Sequence, residues 1–213
     1  MKAEKNEINE ILLVYDKIKP EIERKLAAFE KIGKRMNKKE IFDELCFCLL
    51  TPQSKAEICW KAAKKVANAL PSDKTECRRL EETLRGIRFH RTKAKRITES
   101  KETINLLIEK LEQQETAENT RAWIVKNING LGMKEATHFL RNIGRSEELA
   151  ILDRHILRKL QKLKIVPEIK SSLTEKKYLE IEKKMRKFSK KIGIPVSHLD
   201  FVFWYLETGR IFK

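Results

Sequence analysis

Apolar residues in this chain recur at three- and four-residue spacing almost from end to end, and that spacing admits helices and little else. Ile8, Ile11, Leu12, Tyr15 and Ile18 form one stripe that ends before Pro20, and Ile22, Leu26, Phe29 and Ile32 form the next, closed by Gly33. Ile41, Phe42, Leu45, Cys48 and Leu49 make a third, apolar nearly all round in its second half and stopped by Pro52, which suits a central helix. The same reading predicts helices over 55–69, 73–85 (opened by Ser72 or Asp73 after Pro71), 91–112, 115–127, 134–143, 153–163, 174–192 and 196–208. No stretch alternates apolar and polar residues long enough for a sheet. Only seven Gly and five Pro punctuate the 213 residues, and neither tandem repeats nor a Pro/Gly/Ser linker occurs. The expected fold class is therefore all-α, with any domain boundary compact.

Charge constrains the partner. Lys plus Arg number 47 against 31 Asp plus Glu, a net +16 with a pI near 9.7. A surface of that sign favours a polyanion, because each phosphate neutralised by Lys or Arg releases counterions. Nucleic acid leads among polyanions. No apolar run approaches the ~20 residues of a membrane span, and the opening MKAEKNEINE is too charged for a signal peptide, so no membrane partner and a cytoplasmic location are expected. Charge dominated by Lys and Glu, with only four Gln, resembles thermophile usage. Cys46, Cys48, Cys59 and Cys77 are expected to be reduced thiols, the first two reading as small hydrophobes inside LCFCLL. Their spacing does not suit zinc, so no metal is expected.

Residues 128–136 read Ile-Asn-Gly-Leu-Gly-Met-Lys-Glu-Ala between two helical patterns. Gly130 and Gly132 let the backbone take positive φ and approach a partner closely, while Leu131 anchors the turn in the core. The N–H groups of such a turn and of the helix start after it make an anion site the size of a phosphate. An ordinary helix-to-helix connection uses the same composition; the net charge and Lys134, at the start of the second helix, favour the phosphate. Nineteen residues after Lys134, in ILDRHILRKL, Asp153 stands between the apolar LAIL and a helix. It reads first as an N-cap, and capping would also hold its carboxylate ionised and fixed in direction, as a catalytic role requires.

Hairpin, lysine and aspartate together resemble the helix-hairpin-helix DNA glycosylase superfamily, whose hairpin L/I-x-G-h-G-x-K (h apolar) is followed some twenty residues on by an essential Asp. Ile128-x-Gly130-Leu131-Gly132-x-Lys134 and Asp153 match it position by position. The likeness runs from LCFCLLTPQSKAE to the last residue. The strings ELCFCLLT, KEATHFLRNIG, LDRHILR and LDFVFWYLETGRIFK bring it closest to the type-2, archaeal-type 8-oxoguanine DNA glycosylase/AP lyase branch, which ends on a lysine as this chain does at Lys213. The endonuclease III branch carries a Cys-x6-Cys-x2-Cys-x5-Cys run near its C-terminus, and no Cys follows Cys77 here.

The resemblance implies two helical subdomains with DNA in the cleft between them: 1–45 with 146–213, carrying Asp153 and Lys213, and a helical barrel, 46–145, carrying the hairpin 128–134. It implies a prokaryotic, nucleoid-associated monomer that acts on damaged double-stranded DNA without cofactor, metal or iron–sulfur cluster. Lys134 would attack the sugar C1′ and form a Schiff base, with Asp153 stabilising the developing positive charge and helping to deprotonate the lysine. Lys213, Trp204 and Asp200 would recognise the base, with Phe201 or Phe89 as other candidates for stacking. Gly130, Leu131 and Gly132 would hold the DNA backbone. Gln53 would enter the hole left by the extruded nucleotide, and Arg88 and Phe89, heading the basic-aromatic stretch 88–96, would serve as wedge or clamp. His155 would support Asp153, His138 would bond locally, and the basic run 183–191 would be a solvated face. Two other readings stay open: a lyase for oxidised pyrimidines or bare abasic sites, and a non-catalytic DNA-binding module.

Overall fold

A computed structural model describes residues 2–68, 75–113, 115–146, 148–169 and 173–213. The helix start expected at Ser72 or Asp73 lies outside them. Among the described residues there are ten α-helices and no strand: α1 (Lys2–Arg35), α2 (Lys38–Leu50), α3 (Ala56–Asn68), α4 (Thr75–Thr83), α5 (His90–Glu112), α6 (Ala117–Asn127), α7 (Met133–Asn142), α8 (Arg154–Lys162), α9 (Glu175–Ile192) and α10 (Val196–Thr208). Most ends fall within a residue or two of the spacing-based expectation. The exception is α1, expected as two helices and folded as one, running through Pro20. Proline removes one i→i−4 bond, at the carbonyl of Asp16, and both Pro20 and Asp16 are exposed, so water satisfies the freed oxygen.

The chain divides into two compact units, Met1–Ala28 with Ser146–Lys213, and Phe29–Arg145. The first crossing lies inside α1, where the sequence reading put it at 45/46. It falls there because the last turns of α1 pack on the end of α7: the Arg141 guanidinium lies 5.4 Å from the Phe29 ring centroid, and Gly33 is so close to Ile143 that a Cβ would stand 2.0 Å from its carbonyl oxygen.

In the unit Phe29–Arg145, α2 is the central element, packed by α3, α5 and α7. Every residue from Ile41 to Leu50 is buried. Each large apolar side chain so enclosed contributes roughly 1.5–3 kcal/mol. The buried Glu44 in the same helix accepts from Asn142 Nδ2 at 2.9 Å, tying α7 to α2. In the other unit, Ile11, Tyr15, Ile18 and Ile22 bury one stripe of α1, and Tyr15 is linked to His198 Nδ1 on α10 at 3.1 Å. Cys46, Cys48 and Cys59 are buried free thiols, and burial pushes Cys59 up to about 11.

Candidate active site

The hairpin joins α6 to α7. Ile128 and Leu131 are buried, Leu131 N–H donates to Ile128 O at 3.3 Å, and Gly130 takes φ +96°, beyond the reach of ordinary side chains. Two side chains of α5 dock it: Glu99 accepts from Asn129 Nδ2 at 2.9 Å, and Arg96 lies so near Gly130 that a Cβ would sit 2.4 Å from its Cδ. Gly132 is the N-cap of α7 and supplies no side-chain acceptor, so the first-turn N–H groups lack a side-chain cap. Lys134 stands in that turn, partly exposed, with Nζ 3.2 Å from Glu135 Oε1. An uncapped helix start beside an ammonium has the charge and donors for a phosphate or a sugar-phosphate edge.

Asp153 is the N-cap of α8, its Oδ1 accepting from His155 N and Ile156 N, each at 2.8 Å. The segment leading to it is pinned from α9: Ala150 N donates to the fully buried Glu182 at 2.8 Å, and the Tyr178 hydroxyl donates to Ala150 O at 2.6 Å and accepts from Leu152 N at 3.2 Å. The carboxylate therefore has a fixed position and one oxygen, Oδ2, outside the capping bonds. His155 carries the geometry on to α10. Its ring meets Trp204 edge to face at 5.3 Å, and its Nδ1 lies 3.2 Å from Glu207 Oε1, which Arg158 also contacts at 3.2 Å. Trp204 is partly exposed, yet its indole N–H is buried with no hydrogen-bond partner among the described residues, and such donors concentrate at functional sites. Asp200, one turn earlier on α10, is half-buried, as is Lys213 beyond the left-handed Gly209 that caps the helix.

Two exposed residues hold unusual backbone. Gln53, in the loop between α2 and α3, has φ +56°, and Phe89, the N-cap of α5, has φ +60° with half its surface exposed and the Arg88 guanidinium 4.9 Å from its ring centroid. Each costs about 1–2 kcal/mol in a non-glycine residue.

The structure thus groups Asp153, His155, Trp204, Asp200 and Lys213 in the unit Met1–Ala28 with Ser146–Lys213. Lys134, the hairpin glycines, Leu131, Gln53, Arg88 and Phe89 belong to the other unit. Phe201 is core, and His138 packs edge to face on Phe47 at 5.5 Å. The sequence reading missed two residues of α5. Lys93, taken as one more cation of the stretch 88–96, is 2% exposed; it heads the stripe Lys93, Ile97, Ser100, Ile104, Leu107, Leu111, whose helical spacing already pointed inward. Arg96 packs on Gly130, a contact that no local spacing reveals.

Solved structures define the class of protein. The chain superposes on the 8-oxoguanine DNA glycosylase of Thermotoga maritima with a TM-score of 0.89 at 31% identity, covering 99% of this chain and 100% of that one. It superposes on the Methanocaldococcus jannaschii 8-oxoguanine glycosylase/lyase, solved in complex with a 15mer DNA containing 8-oxoguanine, with a TM-score of 0.88 at 36% identity, covering 97% and 99%. A Fusobacterium nucleatum relative, an 8-oxoguanine DNA glycosylase/AP lyase, is 42% identical over 217 aligned positions, 98% of this chain and 99% of its own. The family model described as 8-oxoguanine DNA glycosylase matches residues 22–194, and the chain belongs to that family.

Proposed function

We infer that this protein is a base-excision repair enzyme, a bifunctional DNA glycosylase and abasic-site lyase that removes 8-oxoguanine from double-stranded DNA. The observation that carries the reading is the end-to-end likeness to the Fusobacterium relative named for both activities. The site geometry supplies the residues.

Lys134 is the nucleophile. Its neutral amine attacks C1′ as the base departs with the electrons of the glycosidic bond; the C1′–O4′ bond then breaks, O4′ takes up a proton as the 4′-hydroxyl, and the open sugar is left joined to the lysine as a Schiff base. Removal of a C2′ proton then expels the 3′ phosphate, cutting the strand 3′ to the lesion, and hydrolysis frees the lysine. Asp153 stabilises the positive charge that develops on the sugar; its support is the capping that fixes Oδ1 and leaves Oδ2 for chemistry. Gly130, Leu131 and Gly132 present α7's first-turn N–H groups to a DNA phosphate. Trp204, Asp200 and Lys213 recognise the base; the partly exposed Trp204 ring, one contact from the cap of α8, supports that assignment. Gln53, Phe89 and Arg88 occupy the space that the extruded nucleotide vacates. The +16 charge suits search along a polyanion. The enzyme acts as a monomer on the nucleoid of a prokaryotic cell, without an iron–sulfur cluster. Support for a prokaryotic setting comes from relatives in bacteria and archaea.

Borohydride trapping on an 8-oxoguanine duplex tests this directly. Wild type forms a covalent protein–DNA adduct and Lys134→Gln forms none while binding the duplex with similar salt dependence. No adduct with wild type, or an undiminished one with the variant, overturns the assignment, and cleavage by neither protein returns the chain to a DNA-binding module.

A further inference from the structure

Lys93 is 2% exposed, and its ammonium donates to Leu50 O at 2.7 Å, Pro52 O at 2.8 Å and Ser54 Oγ at 3.0 Å. All three of its protons go to neutral oxygens of the last residue of α2 and the loop that follows it, and Cys59 Sγ adds a second donor to Leu50 O at 3.2 Å. Burial lowers the proton affinity of this amine, the neighbouring Arg96 and Arg88 act in the same direction, and Cys59 acts against it. Enclosing an ammonium without a carboxylate is costly, and an apolar side chain of equal length would fill the same space. What sets the lysine apart from such a side chain is the backbone that its bonds hold in place.

Gln53 lies between the acceptors Pro52 and Ser54. On the other side, Lys93 stands one turn after Phe89 in α5, where its main-chain N–H closes the first helical turn on Phe89 O at 3.0 Å as any residue would, so its side chain ties the Gln53 loop to the helix turn that begins at Phe89. Four non-glycine residues among those described have positive φ, namely Met36, Gln53, Phe89 and Lys164, and this one ammonium joins the loop that holds Gln53 to the helix turn that opens at Phe89. Both carry exposed side chains set on a buried, cross-linked base. A side chain that must fill the gap left by a nucleotide does so best when its backbone is already fixed, because ordering a loose loop would add to the work of unstacking the base.

We propose that Lys93 is a positioning residue that locks Gln53 and Phe89 into a two-pronged wedge, and so governs nucleotide extrusion rather than bond cleavage. This rests on the glycosylase reading above.

The test compares Lys93→Met with wild type in single-turnover excision from an 8-oxoguanine duplex, in the fluorescence of 2-aminopurine placed beside the lesion, and in borohydride trapping on a preformed abasic site in a single strand. Extrusion is needed only in the first two. The variant is expected to lose about tenfold or more in duplex excision together with the fluorescence rise, and to trap on the single strand within about threefold of wild type. A Gln53→Ala/Phe89→Ala double variant should lose as much, and adding Lys93→Met to it should cost little more, since groups acting as one unit are not additive. Undiminished duplex excision by Lys93→Met overturns the proposal, as does an equal loss on both substrates. Should Lys93→Met fail to fold, Ser54→Ala, which removes one acceptor, takes its place, with a smaller loss of the same duplex-only kind expected and an equal loss on both substrates again overturning it. Failure of wild type to trap at all refutes the glycosylase reading instead.

Discussion

One pair of substitutions separates the helix cap that Asp153 makes from the catalytic role proposed for it. Its Oδ1 accepts from His155 N and Ile156 N at 2.8 Å, so Asp153→Ala removes an N-cap worth about 1 kcal/mol, at most about 2. It also removes a negative charge at a helix start, worth about 0.3–1 kcal/mol. Together these amount to about 1.3 kcal/mol and at most about 3 kcal/mol, and for a chain of this size melting should fall by roughly 3–12 °C. Asp153→Asn keeps an oxygen in the capping position and loses only the charge, for a fall of about 1–4 °C. Excision should not follow that order. Both variants lack the anion that faces the developing sugar cation, and both should lose about 100- to 1000-fold in single-turnover excision of 8-oxoguanine. Calorimetry and excision measured on the same preparations decide it. Near-normal excision by Asp153→Asn would show that the residue is a cap and nothing more, and an unchanged melting point for Asp153→Ala would refute the capping energetics.

Two further outcomes follow from packing and titration. Gly33→Ala gains about 1 kcal/mol of helix propensity, yet its Cβ would meet a backbone oxygen at 2.0 Å that cannot rotate away. The net loss should be about 2 kcal/mol and roughly 4–8 °C in melting; a stabilised variant would contradict the close approach of α1 to Ile143. Burial holds His198 below its ordinary 6.5, so the unfolded chain takes up the proton first and stability declines as pH drops below that value. His198→Gln should flatten that decline, seen as a smaller change in denaturation midpoint between about pH 7 and pH 5, and an unaltered slope would refute it.

Much of this arrangement was legible in the chain because helical spacing is a local signal. The buried run 41–50 announced α2, and the glycines, lysine and aspartate lie at fixed offsets that one hairpin and one cap satisfy. What was not legible depends on distance in space. Pro20 looked like a break because its neighbours do not reveal that Asp16 O faces water. The compact units divide at Ala28/Phe29 and the resemblance implies 45/46; nothing in the composition of α1 changes at Ala28, whereas Phe29 and Gly33 lie against the end of α7. Lys93 reads as one more cation of the stretch 88–96 because its acceptors, Leu50 O and Pro52 O, lie more than forty residues earlier.

The two-segment unit has a consequence for how the protein is made. A ribosome delivers α1 first, but α8 to α10, which complete the unit its first turns belong to, are delivered last. The unit Phe29–Arg145 is continuous and can close while synthesis is still under way, as domains generally do. Vectorial synthesis therefore completes the hairpin before the unit holding Asp153 exists, and a chain whose translation stops early would carry the proposed nucleophile, Lys134, without the carboxylate proposed to assist it.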